Sequence, residues 1–101
     1  MHIAFPHWVD KPKNKSQRAN NRLRYLLGRV ALEVDRSNSI KNLAERTGYS
    51  HAVVHQYISI GKFSAECATV FEDTFGRALC PNEWLRDPLT IPTKTAHPSK
   101  K

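Results

Sequence analysis

The chain has 101 residues, enough for one small core and not for a second module. No apolar run approaches the roughly 20 residues needed to cross a bilayer, and the start, MHIAFPHWVD, lacks a basic stretch followed by a long apolar one. A cytoplasmic protein with no membrane contact is therefore expected. The net charge of +7 is unevenly placed: residues 1–31 carry seven Lys or Arg against one acid, net +6, residues 32–87 are net −2, and residues 88–101 are net +3. A polyanion would be drawn mainly to the two ends, and the middle would have to read it.

Residues 1–15 are read as a flexible basic arm. Ile3, Phe5, Trp8 and Val9 around Pro6 are too short and too interrupted a pattern to predict a helix. They suit an arm that folds onto the domain or a partner subunit, or a contact site for another protein. Lysines interspersed with Pro12 and Asn14 then suggest a linker.

Residues 16–34 predict a helix, because Leu23, Leu26, Leu27, Val30, Ala31 and Val34 recur at three- and four-residue spacing. Arg18, Arg22, Tyr25 and Arg29 line its other side, either as ordinary solvated surface or as phosphate contacts. Residues 35–39 form a loop whose last residue, Ser39, can cap the next helix.

In residues 40–59, IKNLAERTGYSHAVVHQYIS, two short helices are predicted around a tight turn. Ile40, Leu43, Ala44 and Thr47 fall at i, i+3, i+4 and i+7; Gly48 breaks the pattern and Ser50 can cap the second helix. Small Ala44 at the helix crossing, Gly48 in the turn, and inward Val54, Tyr57 and Ile58 are what a helix-turn-helix needs. The second helix then shows His51, Ala52, His55, Gln56 and Ser59 outward. Glutamine can pair with the adenine edge, histidine with guanine, and an alanine methyl with that of thymine. Ser39, Lys41, Arg46 and Lys62, with Arg18, Arg22 and Arg29, are the candidate phosphate contacts, which position a protein without specifying sequence.

After Gly61 and Lys62, Ser64 caps a helix that runs to about Phe75 and stops at Gly76, with Cys67, Phe71, Thr74 and Phe75 inward. Both cysteines, Cys67 and Cys80, are expected to be reduced apolar fillers. Pro81 suits a first helical position, so residues 82–86 make one or two turns. Leu79, Trp84 and Leu85 either complete the core or form a twofold dimer seam. Residues 88–101, with three prolines and a basic end, are expected to be a disordered tail.

His51 and His55 have the spacing of paired metal ligands on a helix, but Ala52 stands where a zinc protease has its glutamate, and no third ligand is evident. No phosphate-binding glycine loop and no nucleophile with a partner base occur either. Neither an enzyme, a metal nor a cofactor is expected.

Leu43-Ala44, Thr47-Gly48-Tyr49-Ser50, Val54-His55-Gln56-Tyr57 and Gly61-Lys62 together resemble the helix-turn-helix of Cro-type and repressor-type phage regulators, most nearly the YdaS-like subgroup. The likeness continues through Ala65-Glu66-Cys67 to the segment from Cys80 to Arg86, and covers roughly residues 40–89. His55 stands where a serine is common, and the amino-terminal extension is outside the pattern. The resemblance implies an all-α, lambda-repressor-like domain of four to five helices with a central helix-turn-helix over residues 16–87. By position it puts the base contacts on His51, Ala52, His55 and Gln56, with Ser50 and Ser59 near phosphate, and it favours a homodimer through Leu79, Trp84 and Leu85. The expected function is sequence-specific binding of double-stranded DNA as a phage or prophage repressor. The alternative is an adaptor or inhibitor on the same fold that grips a host protein.

Overall fold

The longest apolar stripe in the sequence becomes the rod on which most of the other elements pack. The computed structural model describes residues 3–11, 14–34 (33 and 34 by backbone only) and 40–92. The described residues form six α-helices and a 3-10 turn, with no β-strand among them: α1 (His7–Asp10), α2 (Lys15–Val34), α3 (Ile40–Thr47), α4 (His51–Ile60), α5 (Ala65–Phe75), α6 (Asn82–Arg86) and the turn Pro88–Thr90.

α2 forms because its apolar residues share one face. Leu23, Leu26, Leu27 and Val30 are fully buried, and Ala19 and Ala31 nearly so. Its start is fixed by Asn14, whose Oδ1 accepts from the backbone N–H of Ser16 at 2.8 Å and of Gln17 at 3.2 Å. α1, α3, α4 and the 3-10 turn all pack against this helix, and α5 and α6 pack against each other. Phe71 of α5 sits at the centre of the aromatic cluster, 5.1 Å from Phe63, 5.8 Å from Phe75 and 6.4 Å from Tyr49, centroid to centroid.

α5 begins as expected, with Ser64 Oγ accepting from Cys67 N at 3.2 Å, and buries Cys67, Ala68 and Phe71. Thr74, expected inward, is exposed; its hydroxyl donates to the carbonyl of Val70 at 2.8 Å, which satisfies it locally. α5 and α6 are clasped by charge. Arg77 pairs with Glu72 at 2.6 Å and with Glu83, and Glu72 also accepts from Asn82 through its backbone N–H (3.1 Å) and its side-chain amide (3.0 Å). These bonds hold the Glu72 carboxyl below its usual pKa, and the Arg77 guanidinium holds that of Glu83 down at about 2.

The packed unit reaches beyond residues 16–87 at both ends, which corrects the expected boundaries. Ile3 and Val9 on one side, and Pro88 and Ile91 on the other, are buried, and Ile3 N donates to the carbonyl of Pro92 at 2.9 Å. α1 is a single turn, held onto α2 by the Asn21 amide, which donates to the carbonyls of Trp8 (3.3 Å) and Val9 (3.2 Å). Residues 1–2, 12–13 and 93–101 of the expected arm and tail lie outside the described residues.

Candidate nucleic-acid interface

α3 and α4 are joined by a turn that glycine at its bend makes without strain. Gly48 has φ of +90°, and Tyr49 N donates back to Ala44 O at 3.0 Å while Gly48 N donates to Glu45 O at 3.3 Å. The same pair of bonds recurs at the end of α4: Gly61 has φ of +96°, with Lys62 N to Tyr57 O at 3.2 Å and Gly61 N to Ile58 O at 3.0 Å. α4 starts at Ser50, whose hydroxyl accepts from Val53 N at 3.1 Å. Both ends of this ten-residue helix are therefore fixed, over a length of about 15 Å.

Its inward side is as expected. Val54 and Ile58 are buried, and half-buried Tyr57 packs its ring 5.4 Å from that of Phe63. Leu43 and Ala44 of α3 are also buried, which lets the two helices approach. On the opposite side His51, Ala52, His55, Gln56 and Ser59 are all exposed. The imidazoles of His51 and His55 meet edge to face, with centroids 4.5 Å apart. A side chain that sequence reasoning missed steadies this helix: Asn20 of α2 donates its amide to the carbonyl of Ile58, and its Oδ1 accepts from Arg24 Nε at 3.1 Å. No periodicity marks such a residue; a polar residue on the core-facing half of a long helix is the one clue.

Of the candidate phosphate contacts, Lys41, Arg46, Ser50, Ser59 and Lys62 are exposed around α3 and α4, and Arg18 and Arg29 are half-buried along α2. Ser39 lies outside the described residues. Arg22 is not a surface cation. Its guanidinium makes a fork with Asp10, Nε to Oδ1 and Nη2 to Oδ2 both 2.9 Å, while Nη1 donates to the carbonyls of Pro88 (3.2 Å) and Leu89 (3.4 Å). The same group lies 5.0 Å from the Phe5 ring centroid, and the side chain is only 11% exposed. Tyr25 of the same stripe is covered by Phe5, ring centroids 5.5 Å apart. The amino-terminal segment thus occupies that side of α2, and Arg22 fastens both flanking segments to it.

The residues expected to form either core or dimer seam pack within the single chain. Leu85 is fully buried, Trp84 is 8% exposed, and Leu79 packs half-buried against the same cluster. Trp84 and Leu85 are thus covered within one chain, while Leu79 keeps part of its surface in solvent. Cys67 and Cys80 are free and buried, as expected; burial pushes their thiols up to about 11 and about 12, and Cys80 Sγ donates to the carbonyl of Phe71 at 3.3 Å.

Among the described residues no group of three His, Cys, Asp or Glu could hold a metal ion, and no helix is long and apolar enough to cross a membrane. Two shallow grooves lie at the junction of α2 and α4. One, lined by Asn14, Ser16, Gln17, Asn20 and Ser59, is polar; the other lies between Lys15, Lys62 and Arg86. Comparison of the chain with protein families, curated proteins and solved structures returns no match.

Proposed function

We propose that this protein binds double-stranded DNA, with α4 entering the major groove, and that it acts as a sequence-specific transcriptional regulator of the phage-repressor kind. The observation that carries the reading is α4 itself: a helix fixed at both ends whose buried Val54 and Ile58 leave His51, Ala52, His55, Gln56 and Ser59 exposed in one row. A groove about 12 Å wide accepts such a helix, and those side chains have the donors, acceptors and methyl that distinguish base edges. Lys41, Arg46 and Lys62 stand exposed beside it, where backbone phosphates would pass. No catalytic step, metal or cofactor is part of the proposal. A homodimer would have to use side chains other than Trp84 and Leu85, and would place half-sites roughly 34 Å apart.

The test is selection of bound sites from random duplex DNA, followed by two substitutions. Gln56→Ala is expected to cost about 1–3 kcal/mol and to relax preference at one base pair, whereas Lys41→Ala weakens all sequences alike. Equal losses for Gln56→Ala on selected and scrambled duplex would refute the assignment.

One observation favours a second reading, an adaptor that binds a host protein: Trp8 on α1 is 48% exposed, and exposed aromatic rings are enriched at protein interfaces. An adaptor of this kind would bind its partner without DNA, lose that binding in Trp8→Ala, and tolerate loss of His55 and Gln56.

A further inference from the structure

The basic groove beside α4 is built from three elements that the sequence keeps far apart. Lys15 opens α2, Lys62 follows α4, and Arg86 ends α6; all three are exposed, and Asp87 is the one acid on the lining. Two backbone contacts bring them together. The end of α4 sits so close on the first turn of α2 that a Cβ built on Gly61 would lie 3.2 Å from Ala19 Cβ and 3.4 Å from Ser16 O, which fixes Lys62 beside Lys15. Phe63 N donates to Leu85 O at 2.8 Å, which fixes Arg86 beside Lys62. The backbone N–H groups of Ser16 and Gln17 are already taken by Asn14, so the side-chain cations, not the helix end, supply the attraction. Ser16 also lines the polar groove that holds Ser59 of the proposed reading face, so the two grooves continue one another.

From this continuity we infer that the groove between Lys15, Lys62 and Arg86 is a seat for the phosphodiester backbone of nucleic acid, flanking the stretch that α4 reads. The inference rests on the DNA-binding reading, and it joins one cation of the basic amino-terminal part, Lys15, to two of the middle, Lys62 and Arg86. Three cations set against one carboxylate give the groove the net positive charge that attracts a phosphodiester strand. They take no part in choosing sequence.

The experiment combines salt-dependent affinity with amide and side-chain NMR of the full chain, using a selected duplex, a scrambled duplex and inorganic phosphate as probes. In the variant carrying Lys15→Gln, Lys62→Gln and Arg86→Gln, affinity for both duplexes is expected to fall on the order of 100-fold at 0.15 M salt. The slope of log K against log salt flattens by about 2.7, and the ratio between the two duplexes is unchanged. These exposed positions leave the core intact, which circular dichroism checks. Signals of Ser16, Lys62 and Arg86 move with either duplex in the parent chain. If duplex moves α4 signals but not those of the groove, or the slope changes by less than about one contact's worth, the groove assignment is overturned and the reading helix stands. If groove signals move while α4 signals do not and no sequence is selected, the backbone seat stands and sequence reading fails. Saturation by inorganic phosphate that blocks duplex no better than chloride of equal ionic strength supports a backbone seat. Tight phosphate binding that displaces duplex would make it a free-anion site and overturn the proposal, as would a groove that responds to no probe.

Discussion

Two short helices that each bury two side chains, α4 and α6, end in opposite situations. α4 buries two residues and leaves a polar row in solvent; α6 buries Trp84 and Leu85, and its one acid, Glu83, is turned to Arg77. Arginines divide the same way. Arg22 and Arg77 are neutralised within the chain by carboxylates, Arg22 also donating to backbone carbonyls, while Arg86 stands exposed on a groove. Charge and aromaticity in a sequence therefore do not identify a binding surface; what matters is which of those groups the fold has already satisfied.

The sharpest way to break the contrast is in the core. Phe71→Ala or Leu85→Ala is expected to destabilise the domain by about 2–5 kcal/mol in denaturant unfolding, since both side chains are fully buried. A loss near zero for Leu85→Ala, with a change in oligomeric state, would restore the seam. Arg22→Ala comes next, at about 1–3 kcal/mol, because it strands Asp10 and the Pro88 and Leu89 carbonyls and releases both flanking segments. Faster hydrogen exchange in α1 and around Ile91 would accompany it. A smaller effect is expected from acid. The Glu72 and Glu83 carboxyls are held below their unfolded values, so their contribution is present above about pH 4.5 and is lost as pH falls, for Glu83 toward about 2. In Arg77→Ala that acid-dependent decline should shrink. Smallest of all, Gln56→Ala and His55→Ala should change stability by no more than about 0.5 kcal/mol, as exposed positions do. Thiol labelling checks the interior independently: Cys67 and Cys80 should react only as the protein unfolds, since burial disfavours both thiolates.

Periodicity and caps made most of the helices legible. α2 to α5 follow from their apolar spacing and from Ser50, Ser64, Gly48, Gly61 and Gly76, because a helix's limits depend on residues within a few positions. The outward row of α4 was legible for the same reason. Long-range pairings were not: nothing local to Arg22 announces Asp10 twelve residues earlier or the Pro88 carbonyl sixty-six later. α6 spans five residues, too few to show a period, so whether Trp84 faces a core or a partner could not be read from it. Asn14 was the avoidable omission, since an Asn just before a helical run is an ordinary start signal.

The hydrogen bond from Asn20 to the last turn of α4, with the close seat of Gly61 on Ala19, couples that helix mechanically to α2. α4 cannot roll about its axis or slide without disturbing the longest element of the domain. Docking through it would carry no folding transition of its own, so the heat-capacity change on association should scale with the area of the docked face alone.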